Sequence, residues 1–487
     1  MINLWILIKS YLLLLISCTF LQKPIMNTVY SCPLRSAFYL IIFIMVTGIA
    51  CKKTDPATPV IPDPLPGSRP NIILIMGDDV GFEVPGFTGG ESYATPNIDA
   101  MAEQGMQFSR CYGSPMCSPS RFMLLTGKYN FRNYGDNSWA NLELDQRTVA
   151  NTLQSAGYAT CAAGKWQLNH GDTGLVTFGF DKYCITDPFK LASENNSPTL
   201  RLYKNPTIYE NGAYRPESEM EGKYSEDIFM DYMVGFIDSS NKAKKPFFIY
   251  YAPNLCHKPF SPTPDDPEFA AWDPYKRESF SDTIFFKSMI KYYDKNMGRL
   301  LAKLKAAGIE QNTLVLFIAG DNGTDDEINS KFQGAYISGG KGHTKISGTH
   351  LAFAAYWPGH ISPSKNGNLV DLVDFLPTIA AAAGVGVSPG YGPLDGISFF
   401  DQLMGSSNAE ARQYSYNWYD LNQRGPDADP PVVWAMDKKY KLYNNQTSLI
   451  NYAEDFLEKN PIPENEQTID EQKETVTLQS VIDAYHN

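Results

Sequence analysis

The chain has few cysteines and no clustered charge. Eight cysteines in 487 residues are too sparse for a disulfide scaffold, and none forms a CxxC pair of the kind that builds structural zinc sites. No lysine- or arginine-rich block occurs. With 41 basic against 53 acidic residues the formal charge is -12, which argues against non-specific nucleic-acid binding. Internal repeats are absent, and low complexity is confined to one proline-rich stretch. What is present is a hydrophobic content of 43% beside 19% charged residues, enough for a sizeable core and incompatible with wholesale disorder. The length accommodates one large domain with a smaller companion.

The first fifty residues read as an export segment rather than as fold. Two apolar runs, 4–21 and 37–50, open the chain; the second follows Arg35 and ends in Thr47-Gly48-Ile49-Ala50-Cys51. A basic residue, an apolar stretch of about 14 and small residues before a cysteine make an export signal. This layout resembles a bacterial lipoprotein signal, which implies lipidation of Cys51; Gly48 stands where such signals usually carry a bulky aliphatic residue. Two runs exceed the need of one signal, and Met26 offers a second start. Residues 52–70, with Pro at 56, 59, 62, 64, 66 and 70, predict an extended tether that cannot pack a core. The expected product is exported and membrane-anchored by lipid, periplasmic or at the cell surface.

From Asn71 onward short apolar runs alternate with helical patterns, which predicts an α/β fold with a large, mostly parallel sheet covered on both faces. Four runs end in polar residues: 71–76 in Asp78-Asp79, 158–163 in Gly164-Lys165-Trp166, 247–251 in Pro253 and His257, and 313–319 in Asp321-Asn322. Ligands bind beyond the carboxyl ends of strands in open parallel sheets, so four such ends suggest one site. A helix is predicted over 284–304 from apolar residues at three- and four-residue steps, with Gly308 as its stop.

Asp78 and Asp79 are adjacent and would point to opposite faces of a straight strand. They converge only if the chain turns, which Gly77 and Gly81 permit; Asp321 and Asn322 have Gly320 and Gly323 beside them. Three carboxylates and an amide are hard oxygen donors suited to calcium or magnesium and poor for zinc. Either pair alone reads equally as turn chemistry.

Between the first two of these runs lies Cys117-Ser118-Pro119-Ser120-Arg121, then Leu125-Thr126-Gly127-Lys128. Pro119 suits the first turn of a helix and puts Cys117 at or just before its N-terminus, where a thiol is expected to have a lowered pKa; the alternative is a structural or disulfide-bonded cysteine. This segment resembles the type I sulfatase signature, in which the cysteine is oxidised during export to formylglycine by a maturation enzyme. The remaining pattern follows in order: Asp78-Asp79, Gly164-Lys165-Trp166, Pro253 with His257, Asp321-Asn322-Gly323, and Gly340-Lys341-Gly342 ahead of Trp357-Pro358-Gly359. The resemblance spans about 71–398.

What it implies is an alkaline-phosphatase-like fold and hydrolysis of sulfate esters. Formylglycine at 117 is hydrated to a geminal diol; one hydroxyl attacks sulfur and the other later expels sulfate. Asp78, Asp79, Asp321 and Asn322 would hold the cation, calcium in preference to magnesium. Arg121 would orient the diol, Lys165 and Lys341 would face the sulfuryl oxygens, and His257 with Lys341 would protonate the leaving alcohol. Two departures stand out. Gln167 occupies the place of a family histidine and cannot accept a proton near neutral pH, leaving His170 or a water for that role. The segment His343 to His350 lacks the Glu-Gly-Gly common in the family, which makes His343 and His350 candidates for facing substrate, with Gln167 and His170.

Further along, 369–384 reads as an apolar helix despite Pro377, 432–443 as a hairpin and 464–487 as an acidic helix. This suits the small antiparallel C-terminal subdomain of sulfatases. The polar, aromatic stretch 181–224 reads as loop. The expected organisation is 1–51 signal, 52–70 tether, 71–398 catalytic domain and 399–487 subdomain. The expected function is hydrolysis of a sulfated carbohydrate or other sulfate ester. The rival expectations are a phosphonate or phosphate ester hydrolase of the same superfamily, and a non-catalytic sulfated-glycan binding protein.

Overall fold

The strand β1 (Asn71–Met76) has six residues, none exposed to solvent. Only a central strand covered on both faces achieves that. The computed structural model describes residues 69–133, 142–170, 174–186, 201–274, 281–420, 431–444 and 446–486; the export segment and nearly all of the tether lie outside them. β1 pairs in parallel with β7 (Phe247–Ala252) and β8 (Thr313–Ile318). β7 continues in parallel to β3 (Ala159–Lys165), and β3 to β4 (Lys182–Thr186). On the other side β9 (His350–Tyr356) runs antiparallel to both β8 and β2 (Met106–Tyr112).

Alternation along β1 assigns the two faces. Ile72, Leu74 and Met76 join a core with helices α2 (Cys117–Thr126), α3 (Val149–Ser155) and α6 (Phe375–Ala382). Ile73 and Ile75 point the other way, toward α4 (Ser225–Lys242) and α5 (Phe286–Ala306). The short helix α1 (Pro96–Glu103) lies against α5, its first-turn amides held by Asp294. Packing of this kind puts the carboxyl ends of β1, β3, β7 and β8 along one edge, with the N-terminus of β9 beside the end of β2.

Two local expectations are corrected. The 369–384 stretch is a helix only from Phe375. Val370–Asp371 instead pairs with β2, and Asp371 and Asp374 exchange capping bonds that start the helix later. That late start puts Pro377 in the first turn, where its missing N–H removes no helical bond. The 181–224 stretch is more than loop: β4, β5 (Ile208–Glu210) and β6 (Ala213–Tyr214) extend the sheet at this edge. Aromatic residues in that segment hid the two-residue period. Among the described cysteines 111, 117, 161, 184 and 256 are buried free thiols.

The hairpin at 432–443 forms as β11 (Val432–Met436) and β12 (Lys441–Tyr443), joined by β10 (Ser415–Tyr419) into an antiparallel three-stranded sheet. α7 (Ile469–His486) packs on it through Leu478 and Ile482. This sheet shares the main core. Arg412 forks onto Asp374 at 2.9 and 2.5 Å and also donates to the Tyr129 hydroxyl, a bidentate pair that fixes orientation as well as contact. Among the described residues no helix is long and apolar enough to cross a membrane.

Candidate active site

Gly77 follows β1, and a Cβ there would lie 2.1 Å from the Ala319 carbonyl oxygen. Only glycine lets the end of β1 press against the end of β8 this closely. Asp79 then adopts a left-handed conformation at φ 55°, the turn that brings Asp78 and Asp79 to the same place. On the facing loop, Asp321 Oδ1 lies 3.5 Å from the Asp79 amide. The Asn322 amide donates to Asp79 Oδ1 at 2.7 Å and to the Gly323 carbonyl. All four residues are fully buried.

Cys117 is the first residue of α2, preceded by an extended Met116. Ser120 clamps the approach by exchanging bonds with the backbone of Ser114. The Cys117 Sγ sits 3.4 Å from Asp78 Oδ1, 3.9 Å from Asp79 Oδ1 and 3.2 Å from Asn322 Oδ1. Ligand atoms of Asp78, Asp79, Cys117 and Asp321 all fall within 4.8 Å of one another. One helical turn along, Arg121 Nη2 reaches Asp321 at 2.6 Å, and its Nη1 donates to the Tyr250 hydroxyl at 3.1 Å.

Two lysines close the acidic cluster. Lys165, at the end of β3, meets Asp78 at 2.5 Å, and Lys341 meets Asp79 at 2.5 Å. The Nε2 of His257 is 3.8 Å from Asp79. Its Nδ1 faces the Lys258 carbonyl, which only accepts, so Nδ1 carries the proton and Nε2 is left as an acceptor in the neutral ring. Burial, aided by Lys165 and Lys341, holds the His257 pKa well below its usual value. The imidazole is therefore neutral at rest, and of the two expected proton donors only Lys341 is already protonated: burial opposes its charge, but Asp79 and Asp78 hold its pKa up.

The electrostatics of the carboxylates are uneven. Burial raises Asp79, with Asp78 adding repulsion, and burial raises Asp321 against the pull of Arg121. Asp78 is lowered despite burial because the cationic Lys165, Arg121 and Lys341 surround it. Buried, mutually repelling carboxylates with a neighbouring amide oxygen form a set of hard donors that fits a calcium- or magnesium-sized dication. The Cys117 thiol departs from its sequence expectation. Burial, together with Asp321 and Asp78, pushes its pKa up rather than down, so as a plain thiol it stays protonated.

The remaining sequence candidates divide. Gln167 adopts φ 47°, its carbonyl accepts from the Ser118 hydroxyl next to Cys117, and its Oε1 is enclosed without a partner. His170 is half-buried on the following turn, where its carbonyl holds the Gly174 amide. His343 is exposed, two residues after Lys341. His350 is buried, with its ring stacked 3.6 Å from Phe82 and 4.9 Å from Tyr112, and its Nε2 on the Ser109 carbonyl. That histidine packs the sheet edge and does not join the cluster.

Supporting residues escaped sequence reasoning. Tyr250 holds Arg121, and the Tyr203 hydroxyl donates within 2.8 Å of the Asn254 carbonyl and 2.6 Å of the His257 carbonyl. Glu226 accepts from the Asn254 amide in the same turn. Only the alternation in β7, which puts Phe248 and Tyr250 on the α2 side, pointed to any of them. Burial pushes the Glu226 carboxyl from 4.5 up to about 8. The native state thus keeps a proton that the unfolded chain releases, and its stabilising effect is complete below pH 4.5 and lost as pH rises through 8. Glu226→Gln is expected to remove this dependence, gaining stability over wild type at pH 8 relative to pH 5. Urea unfolding at the two pH values checks it; an unchanged difference between them would contradict the assignment.

The fold is alkaline-phosphatase-like, and its polar cluster lies beyond the parallel strand ends. The sulfatase family model matches residues 70–385, and the chain belongs to the sulfatase family. It is similar to arylsulfatase A of Homo sapiens, 29% identical over 407 residues that cover 77% of this chain and 74% of that protein. It is 27% identical over 368 residues to N-acetylgalactosamine-6-sulfatase of Mus musculus, covering 69% and 66%. Among solved structures, Ps i-CgsB in complex with k-i-k-neocarrahexaose superposes with a TM-score of 0.68 at 25% identity, over 85% of this chain and 92% of that one. The protein is a sulfuric ester hydrolase.

Proposed function

We propose that this sulfatase hydrolyses sulfate esters of a carbohydrate, with Cys117 converted to formylglycine and a calcium ion held by Asp78, Asp79, Asp321 and Asn322. The observation that carries this reading is the position of the Cys117 side chain. It opens α2 and touches three prospective ligand residues, with Lys165, Lys341 and Arg121 around them. In this reading the Cys117 Sγ stands where the modified side chain would present oxygen. Formylglycine supplies a hydrated aldehyde as nucleophile, and the cation supplies positive charge against the sulfate oxygens.

The chain's own residues do the rest. Arg121, held by Tyr250 and Asp321, fixes the orientation of residue 117. Lys165 and Lys341 now neutralise Asp78 and Asp79; with those carboxylates engaged by a dication, both ammonium groups are free to face sulfate. Lys341 is the donor for the leaving alcohol, and His257 Nε2 is placed to accept a hydroxyl hydrogen beside it. The carbohydrate assignment is supported by the likeness to Ps i-CgsB and by an export signal ahead of a tether. The same segment supports export and lipidation at Cys51, and the Cys117-Ser118-Pro119-Ser120-Arg121 signature supports a maturation enzyme as partner.

Turnover of paired aryl sulfate and aryl phosphate substrates tests the reaction class. Sulfate is expected to be preferred in kcat/KM by at least about a hundredfold, the scale of a few kcal/mol in the transition state. A preference for phosphate or phosphonate would replace the reading, and binding of sulfated glycan without sulfate release would remove it.

A further inference from the structure

Lys341 sits on a loop that leads into a single helical turn (Ile346–Thr349), and this 340–349 segment is wedged between the two halves of the site. Its backbone donates to the Thr324 carbonyl, Gly342 donates to the Pro115 carbonyl, and Gly323 donates to the Gly348 carbonyl. Gly323 and Gly340 approach Ser347 so closely that a Cβ on either would lie within 2.4 Å of its backbone. A shift of this loop therefore moves Lys341 against both the Asp321-Asn322 turn and the approach to Cys117.

The outer side of the loop is gripped by Lys441 and Tyr443 of the C-terminal sheet and by Glu458 in the irregular segment beyond it, all past the stretch the family model matches. Lys441 Nζ donates to the Thr344 carbonyl at 2.5 Å and pairs with Glu458 Oε1 at 2.9 Å. The same Oε1 accepts from the Ile346 amide at 2.8 Å. Tyr443 adds its hydroxyl to Glu458 Oε2 at 2.9 Å and reaches Thr344 at 3.2 Å. The side chains of Lys441 and Glu458 are 0% and 2% exposed, and the ammonium also lies over the Trp434 and Tyr443 rings. Burying an ion pair is weak as a stabilising device and is best justified by fixing a geometry. Here both members spend hydrogen bonds on the backbone of one loop.

We propose that the Lys441–Glu458 pair, with Tyr443, is a positioning latch that sets the Lys341 loop from the C-terminal sheet. The inference rests on the sulfatase reading, in which Lys341 protonates the leaving alcohol. Lys441, Glu458 and Tyr443 are positioning residues and touch no reacting atom.

The test compares Lys441→Met and Tyr443→Phe with wild type on two substrates. One is p-nitrophenyl sulfate, whose leaving group departs without a proton; the other is a sugar sulfate, whose leaving group needs one. A displaced Lys341 is expected to lower kcat on the sugar sulfate by about a hundredfold in Lys441→Met, with a much smaller fall on the aryl ester. Tyr443→Phe, which loses one hydroxyl, is expected to show the same imbalance at about a tenth of that size. Loss of folded protein alone lowers both substrates by one factor, so equal losses, or none in Tyr443→Phe, overturn the latch. Wild-type enzyme inactive on both sulfates would instead overturn the sulfatase reading itself.

Discussion

Replacement of Cys117 by alanine is expected to lower kcat/KM for an aryl sulfate by at least about ten-thousandfold while leaving thermal unfolding nearly unchanged. Removing the nucleophile from a cooperating catalytic unit has losses on that scale. Among the described residues the neighbouring hydroxyls are already engaged: Ser118 is committed to the Gln167 carbonyl and Ser120 to Ser114. The carboxylates beside Cys117 are buried and bound to cationic groups. The alanine keeps the helix start, since the cap at Met116 involves no side-chain bond. Stopped assays on freshly folded variant would show the loss; residual activity within tenfold of wild type would mean that chemistry proceeds elsewhere.

Chelation should give the second large effect. Exhaustive EDTA treatment is expected to remove about a thousandfold of activity, the several kcal/mol that a Lewis acid contributes to charge stabilisation, and added calcium should restore it. The same calcium should raise the unfolding temperature, because a ligand at a thousandfold excess over its Kd adds about 4 kcal/mol to native stability. Asp321→Asn is the matched control. It removes one carboxylate from the cluster near Arg121 and is expected to abolish most of the calcium-induced thermal shift, which is a readout independent of turnover. A chelated wild-type protein indifferent to calcium in both assays would contradict the metal assignment.

The central strands were legible because full burial leaves a signature that needs no partner to read: 72–76 and 314–318 are uninterrupted apolar runs. Their polar ends marked the site because Asp78-Asp79 and Asp321-Asn322 stand between glycines in the sequence itself, although the close approaches that demand glycine, Gly77 on Ala319 and Gly320 on Val80, are long-range. Residues whose roles depend on distant partners were not legible. His350 reads like any histidine near Lys341, and only the stack between Phe82 and Tyr112 shows that it packs. Lys441, Glu458 and Tyr443 sit in an unremarkable acidic and aromatic segment, and their meaning comes from touching a loop about a hundred residues earlier in the chain. The Cys117 thiol misled for a related reason: its helix position is local, but the burial and carboxylates that raise its pKa come from β1 and β8.

The central claim is that residue 117 acts as an aldehyde-derived nucleophile inside the acidic cluster. Mass spectrometry of the tryptic peptide 111–121, from protein made in its native host, tests it most directly. The account predicts a peptide in which formylglycine has replaced the Cys117 thiol, in the same preparation that turns over sulfate esters. An intact thiol at Cys117 in fully active protein would contradict it.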